Sequence, residues 1–340
     1  MAIRVMKNKN YLLLLILLLF GCSGSNEEEV SGKIELSDVT FFYSHRLYSP
    51  GDYNSKAWRI PALLCTDNGI LLAINDKRKE NSADLPNNID IVCRRSLDNG
   101  RTWSEPEYIY QATGVNDGCG DPAIVQAANG DIICAYAGDN GTVQSTLEKP
   151  INSYIVISKD NGKTWGERKK ITSLIWGPKA ERPECRKYTA SFFTSGNGLR
   201  IKTGKYAGRI MFVAPLCRKK EADDQFSDGE FVTDDYVIYS DDNGENWHVS
   251  SCAFEGGDES KMVELSDGRI LMSIRVNGST RRAYAYSSDG GITWGDNGFW
   301  DDIKTTDCNG DIINFPSSLT GGGAQMFCFI LCQTIRVDIR

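Results

Sequence analysis

The stretch SKDNGKTW, residues 158–165, has three more counterparts along the chain. These are SLDNGRTW at 96–103, SDDNGENW at 240–247 and SSDGGITW at 287–294. Each copy follows a run in which apolar residues alternate with other residues, as is typical of a β-strand. A strand-and-turn unit repeated at intervals of about 50 to 80 residues predicts a radial all-β fold that uses one supersecondary unit several times.

Turn chemistry alone explains the constant positions of this unit, which we call the Asp box. A carboxylate such as that of Asp160 accepts hydrogen bonds from the backbone of the following turn, and Gly162 supplies the positive φ of a tight turn. Trp165 then anchors the next strand by burying a large ring. We therefore predict that the four boxes are structural turns at the periphery, with buried tryptophans and no contact with a substrate.

Length, charge and composition exclude several classes of protein. A chain of 340 residues suits a β-propeller that folds as one unit. The formal net charge of −7 argues against nucleic acid as a partner. The sequence has two histidines, His45 and His248, and no CxxC pair, so we expect no metal site and no catalytic histidine.

The amino-terminal residues have the pattern of an export signal. Three basic residues precede a Leu-rich segment at 11–20, which is too short for a mature membrane span. The segment runs into LFGC, which resembles a bacterial lipobox and implies lipidation of Cys22. We expect residues 1–22 to be a lipoprotein signal peptide and 23–37 a flexible acidic tether. The protein would then be an exported lipoprotein, held by Cys22 in the periplasm or at the outer membrane or cell surface; an ordinary cleaved signal is the alternative.

The other ten cysteines are predicted to be core residues rather than a disulfide framework. A propeller of this size has enough core without cross-links. Cys65, Cys93 and Cys134 fall within predicted apolar strands, where a free thiol acts as a small hydrophobic group.

Charged residues beside the apolar strands are the candidates for chemistry. Arg59 begins the segment RIPALL, Arg78 ends the following strand, and Arg275 ends the late segment LMSIR. Burying an arginine is costly unless it meets an anion, and several arginines could converge on one carboxylate. Taken singly, each of them is more often a salt-bridged or solvated residue.

Three acidic residues lie in the neighbouring segments: Asp84 in NSADLPNNID, Asp121 in NDGCGDP and Glu259 in GGDESKMVEL. Together, the early R-I-P, the boxes and the late E-x-K-x-V-E-L…I-R resemble the bacterial exo-α-sialidases, or neuraminidases, over about residues 40 to 315. The resemblance implies a six-bladed β-propeller, here over residues 38–318. It also implies release of terminal sialic acid from sialylated glycans or glycoproteins, with retention of configuration and without a cofactor.

The resemblance carries roles to individual positions. Arg59 and Arg275 match two members of an arginine triad that binds the substrate carboxylate, and Arg78 matches a further active-site arginine. The matching positions of the three acids are the acid/base (Asp84), the aspartate of the N-acyl pocket (Asp121) and the glutamate that assists a tyrosine nucleophile (Glu259). The family uses tyrosine because a carboxylate nucleophile would be repelled by the sialic acid carboxylate.

Two elements of the family pattern are missing. The third arginine and the tyrosine follow, in the family, the segment that begins here at residue 307, but no tyrosine lies after Tyr286. The codons of residues 326–338, read two bases out of phase, permit a sequence similar to the family's arginine segment. We therefore expect 319–340 to be an aberrant, frameshifted tail, the propeller to be incomplete and activity to be impaired.

A divergent but genuine tail is the alternative. In that case a sialic-acid-binding Asp-box propeller without turnover becomes the competing function. A scaffold for protein partners is less favoured, because it leaves the arginines and acids unexplained.

Overall fold

The computed structural model describes residues 46–227, 229–304, 308–315 and 326–331. The prediction of an all-β fold is confirmed, since α1 (Thr172–Ile175) is the one α-helix in these ranges, beside a few 3-10 turns. The predicted signal peptide, the tether and Cys22 lie outside the described residues. Within those residues, no helix has the length and apolar character needed to cross a membrane.

The strands form antiparallel sheets in chain order, beginning with two that contain the first half of the described chain. The first sheet consists of β1 (Ala57–Cys65), β2 (Leu71–Arg78), β3 (Ile89–Ser96) and β4 (Glu107–Tyr110). The second consists of β5 (Cys119–Gln126), β6 (Ile132–Gly138), β7 (Asn152–Ser158) and β8 (Lys169–Lys170).

The third sheet has a broken first strand, and a fourth regular sheet follows it. The third is built from β9 (Ala190–Ser191), β11 (Leu199–Arg200), β12 (Ile210–Lys219), β13 (Phe231–Ser240), β14 (His248–Val249) and β15 (Phe254–Glu255). Between β9 and β11 in the chain, β10 (Gly196–Asn197) pairs in parallel with β5 and so belongs to the second sheet. The fourth sheet consists of β16 (Lys261–Glu264), β17 (Ile270–Ile274), β18 (Arg281–Ser287) and β19 (Gly295–Lys304).

A two-stranded sheet of β20 (Gly310–Phe315) and β21 (Met326–Leu331) completes the described chain. Part of the predicted tail therefore forms a paired strand, whereas the proposed boundary at residue 319 lies outside the described residues. Since these ranges contain four larger sheets and one two-stranded sheet, the number of six blades remains a prediction.

The first strands of neighbouring sheets lie against one another and so surround the axis of the fold. Strand β1 contacts β5 and β10, β11 contacts β5 and β16, and β16 contacts β20. Apolar side chains fill the spaces between the faces of adjacent sheets, as in the cluster of Leu72, Ile91 and Ile124 between the first and second sheets. The hydrophobic core therefore lies between adjacent sheets. Polar side chains on the first two strands of a sheet can face the axis instead of this core.

The Asp boxes join the third strand to the fourth in each of the four larger sheets, as predicted. In the second sheet, Asp160 Oδ1 accepts a hydrogen bond of 2.8 Å from the Thr164 N–H, and Ser158 Oγ accepts one of 2.8 Å from the Gly162 N–H. Gly162 has the predicted positive φ, 74°. The box tryptophans were predicted to be largely buried, and this is confirmed for Trp247 alone, because the other three are half-buried.

No disulfide joins the cysteines whose side chains the structure describes, as predicted: Cys65, Cys93, Cys119, Cys134, Cys185, Cys217, Cys252 and Cys308. Cys93 and Cys134 are buried in the core, but Cys65 is exposed, so its prediction as a core residue was wrong. Cys65 is the last residue of β1, a strand whose outward-facing positions are solvent-exposed.

Candidate active site

The same backbone irregularity shapes the first strands of the first two sheets. Ile60 has a φ of 52° and Asp121 a φ of 57°, and each is followed by a proline. The strand registers shift at the same places, between Arg59 and Ala62 in β1 and between Gly120 and Ala123 in β5. Such bulges redirect side chains and cluster at functional sites, so the R-I-P and D-P segments turn Arg59 and Asp121 out of the regular alternation.

The structure brings Asp84 together with both neighbouring arginines. Its Oδ1 lies 2.7 Å from Nη2 of Arg78 and 3.1 Å from Nη1 of Arg59. The carboxylate is 71% exposed, the Arg59 side chain 45% and the Arg78 side chain 1%. Both contacts are made through Oδ1, so Oδ2 of Asp84 has no hydrogen bond with any described residue. The two arginines fix the position of Asp84 and leave its second carboxyl oxygen exposed for a bound molecule.

A buried aspartate that sequence reasoning missed supports this group from behind. Asp76 is fully buried, and its Oδ2 accepts a hydrogen bond of 3.0 Å from Nη2 of Arg78. A second Arg78 nitrogen donates to the Ser82 carbonyl at 2.7 Å, which also holds the loop that carries Asp84. Asp76 and Arg78 are two positions apart on β2 and therefore share a face, which is the signal that could have found Asp76.

The Asp76 carboxyl group packs against Gly120, the residue before Asp121, which has no side chain to keep it away. A Cβ at Gly120 would be 3.1 Å from Oδ2 of Asp76. Burial raises the pKa of Asp121 well above its usual range, and the carboxylates of Asp76, Glu259 and Asp84 add to this effect. Burial likewise raises the pKa of Asp76 to about 7, although the Arg78 charge opposes this.

The fourth sheet supplies the other half of the site. Glu259 precedes β16 and Arg275 follows β17, and Oε2 of Glu259 lies 2.5 Å from Nη1 of Arg275. Backbone contacts join the two segments: the Asp258 N–H donates to the Arg275 carbonyl at 3.0 Å, and Gly257 forms a β-bridge with Val276. Each side chain of the ion pair is about one-fifth exposed, so solvent can reach the pair.

Two further cations beside Glu259 were missed by the sequence analysis. Arg282 is buried and donates to the Glu259 carbonyl at 3.3 Å and to Ser273 Oγ at 2.9 Å. Burial lowers the pKa of Arg282 to about 10. Lys261 is also buried and donates from Nζ to the Thr194 carbonyl and to Asn309 Oδ1 at 2.9 Å.

Burial lowers the pKa of Lys261 to about 8. Thr194 lies between β9 and β10, and Asn309 lies just before β20. Lys261, the first residue of β16, therefore links three segments beside Glu259. Lys261 lies two positions after Glu259, and this spacing was the available sequence signal.

Asp121 connects the two halves of the site. Carboxylates from the first sheet and Glu259 from before the fourth sheet both lie close enough to affect its pKa. The six residues singled out in the sequence therefore form one cluster where the first two strands of the sheets meet the axis: Arg59, Arg78, Asp84, Asp121, Glu259 and Arg275.

Comparison with known proteins agrees with this arrangement. A family model described as "BNR repeat-like domain" matches residues 60–311, which is most of the chain. The chain belongs to this family. It is 31% identical over 277 residues to a sialidase of Micromonospora viridifaciens, a match that covers 78% of this chain and 40% of that protein. A sialidase of Bacteroides fragilis is 28% identical over 261 residues, with coverages of 72% and 44%.

Solved structures give the same result. The Hadza microbial sialidase aligns with a TM-score of 0.68 at 25% identity, covering 82% of this chain and 54% of that one. The resemblance to bacterial sialidases and the β-propeller fold of the sialidase type are thereby confirmed. The chain spans about half the length of the relatives it matches.

Proposed function

We propose that this chain is the catalytic propeller of an exo-α-sialidase, a glycoside hydrolase that removes terminal sialic acid from sialylated glycans or glycoproteins. The observation that carries the proposal is the exposed Asp84 carboxyl group, held by Arg59 and Arg78 with Oδ2 left for a ligand. Hydrolysis of a glycosidic bond needs an acid beside the leaving oxygen. A sugar that is itself a carboxylate needs cations beside that acid.

Each cation has a distinct part in this proposal. Arg59 is half-exposed and leaves Asp84 to bind the substrate carboxylate, together with Arg275 from the opposite side. Arg78 is buried between two carboxylates and stays in place to orient Asp84. Asp121 lies between the two halves of the site and faces the N-acyl group of the sugar.

Glu259 takes the proton of a tyrosine nucleophile in this mechanism, so that two displacements retain the anomeric configuration. The segment 287–340 contains no tyrosine, and we assign the nucleophile to no residue described here. We therefore expect turnover by the 340-residue chain to be impaired. The same observation favours a second candidate function, a propeller that binds sialic acid without hydrolysing it.

We also propose that the protein acts outside the cytoplasm as a lipoprotein attached through Cys22, on the strength of the lipobox-like sequence at 19–22. Expression in a bacterial host with a labelled fatty acid tests this proposal. Label should enter the wild-type protein and be absent from Cys22→Ala, and a wild-type protein without label would overturn it.

One experiment separates the two candidate functions. Turnover of a sialylated oligosaccharide and binding of N-acetylneuraminate are measured for the wild-type chain, for Arg59→Ala and for a control, Arg269→Ala. Arg269 is 42% exposed and ion-paired with Asp267, so it matches Arg59 in exposure while lying in the turn between β16 and β17.

Turnover that is lost in Arg59→Ala and kept in Arg269→Ala supports the enzyme. Binding without turnover, with the same dependence on Arg59, supports the second candidate. A wild-type chain that neither binds nor hydrolyses overturns both.

A further inference from the structure

The part of the site on the first two sheets has more carboxylates than cations. Asp76, Asp84 and Asp121 lie around the guanidinium groups of Arg59 and Arg78. Asp84 contacts both arginines and Asp76 contacts one of them, so the two cations compensate these two carboxylates. The Asp121 side chain has no hydrogen bond or ion pair with any described residue. A third carboxylate beside two others, without a cation of its own, is more stable with a proton than without one.

A second observation concerns Asp76. Its Oδ1 is buried and has no hydrogen-bond partner among the described residues. A buried carboxylate oxygen without a donor is costly, whereas a protonated carboxyl group can use the same oxygen as a donor. The approach of β2 at Gly120 puts this carboxyl group beside the backbone that carries Asp121. Among the charged groups around Asp121, Asp76 raises the pKa of Asp121 the most.

The other charged and titratable groups around Asp76 and Asp121 do not remove the excess of carboxylates over cations. From β1 Asp76 is faced by Arg59, from its own strand by Arg78, from the following loop by Asp84 and from β5 by Cys119. Burial raises the pKa of the Cys119 thiol, so it is neutral at physiological pH. Glu259 faces Asp121 from the fourth sheet and has Arg275 as its own partner.

We propose that Asp76 and Asp121 form a carboxyl pair that holds one proton at neutral pH in the ligand-free protein, and that the pair takes up a further proton from solvent when a carboxylate ligand binds. The choice of ligand rests on the function proposed above. Asp76 acts here as a positioning residue, because it reaches the ligand through Arg78 and Asp121 and does not touch it. Since two close carboxyl groups titrate as a unit, the protons belong to the pair.

The direction of the effect follows from charge. A bound carboxylate adds a negative charge beside the pair, which favours its protonated form. Binding should therefore be tighter at lower pH within the neutral range, and affinity should fall by up to about tenfold for each pH unit above it.

The first test uses the ligand-free 340-residue chain with carbon-13 in its aspartate carboxyl groups. An NMR titration between about pH 4 and pH 9 should show two carboxyl resonances that move together in the neutral range. Asp76→Asn and Asp121→Asn should each abolish this coupled movement. If one variant fails to fold, the other decides.

Asp90→Asn is the matched control, because Asp90 on β3 is equally buried but pairs with Lys77 and Lys79. The neutral-range movement should persist in this variant. A wild-type titration in which every aspartate finishes below about pH 6 would overturn the proposal. So would a neutral-range signal that persists in both Asp76→Asn and Asp121→Asn.

The second test measures the proton that accompanies binding. Calorimetric titrations with N-acetylneuraminate in two buffers of different ionisation enthalpy should show net proton uptake at pH 7. In Asp76→Asn the uptake should shrink and the pH dependence of Kd should flatten while binding persists. Binding without uptake overturns the carboxyl pair and leaves the proposed function intact. Absence of binding overturns the proposed function, and the titration of the ligand-free chain still decides the pair.

Discussion

The chain contains two arginine–aspartate pairs with the same sequence spacing and different surroundings. Arg78 ends β2 and pairs with Asp84 on the following loop, and Arg218 lies near the end of β12 and pairs with Asp224, again six positions later. Arg218 contacts both carboxylate oxygens of Asp224, at 2.8 and 2.6 Å, and the two side chains are 10% and 13% exposed. Arg78 contacts one oxygen of a carboxylate that is 71% exposed.

Strand register explains why the two pairs differ. In the first sheet Leu71 pairs with the box serine Ser96, and in the third Ile210 pairs with Ser240. Counted from these positions, Arg218 lies one residue further along its strand than Arg78. Because side chains alternate between the faces of a sheet, a shift of one residue puts the two arginines on opposite faces.

The two pairs therefore differ in whether a ligand can reach them. We call Arg78–Asp84 the open pair and Arg218–Asp224 the closed pair. The Arg218 pair is a bidentate ring, and Asp224 also accepts a bond of 2.6 Å from the Glu221 N–H, so this pair anchors a loop. The Arg78 pair leaves one carboxyl oxygen and a second arginine facing solvent, so it can meet a ligand. Identical spacing therefore does not distinguish a site from a structural tie.

Removing the two aspartates gives the largest expected contrast. Asp84→Ala should lower the turnover of sialylated oligosaccharide that the 340-residue chain retains by about 10²- to 10⁴-fold, because the acid is lost. Asp224→Ala should leave turnover per folded molecule within about twofold, since it touches no part of the site. Initial rates normalised to folded protein check both. Equal losses in the two variants would break the distinction between open and closed pairs.

Removing the buried arginine should produce the largest change in stability. Arg78→Ala leaves Asp76 buried without its cation, so the free energy of unfolding should fall by about 3 to 5 kcal/mol. Denaturant unfolding at pH 7 measures this change. Arg59→Ala is the control, because Arg59 is half-exposed and its loss should cost less than about 1 kcal/mol. A small effect of Arg78→Ala would mean that Asp76 is neutral without the arginine.

The closed pair should show a smaller and local effect. Asp224→Ala removes the charge-assisted hydrogen bonds that hold this loop, and we expect a loss of about 1.5 to 3 kcal/mol in total. Hydrogen exchange of the backbone amides should therefore quicken around Glu221 and stay unchanged around Asp84. Faster exchange at both loops would show that the two pairs are coupled and would contradict their separation.

The smallest effect is expected at the Asp boxes. Asp160→Ala should lower the free energy of unfolding by about 1 kcal/mol at neutral pH through lost turn hydrogen bonds. Although burial acts in the opposite direction, hydrogen bonds from Thr164 and Ser158 lower the pKa of Asp160 to about 2. A lowered pKa means that the stabilisation is complete above the ordinary aspartate range and disappears as the pH falls through about 4 to 2.

Denaturant unfolding of wild type and Asp160→Ala at several pH values measures this difference, which should shrink toward zero in acid. Lys159→Ala, at a variable position of the same box, is the control and should match wild type. Binding of N-acetylneuraminate should be unaffected by either change. A selective loss of binding at unchanged stability would show that the box contributes to the site.

Sequence reasoning identified the six candidate residues by their motifs, but it missed Asp76, Lys261 and Arg282. Each missed residue is buried and acts on a candidate residue through contacts between β2 and β5 or around β16. Such contacts join residues that are far apart in the chain. Spacing relates Asp76 to Arg78 and Lys261 to Glu259, but no periodicity or spacing reports which strand will pack beside another.

What the sequence alone determined is the local part of this protein. The four boxes specify their turns, because each contains all the donors, acceptors and glycines that its turn requires. The alternating apolar residues before each box likewise specify strands, because side chains of a strand alternate between its two faces. Tertiary structure alone decided which Arg–Asp pair stays open, and it put Asp121 beside Asp76 and across from Glu259. Register, burial and the charge of a cluster depend on packing between distant strands, and these decide the chemistry of the site.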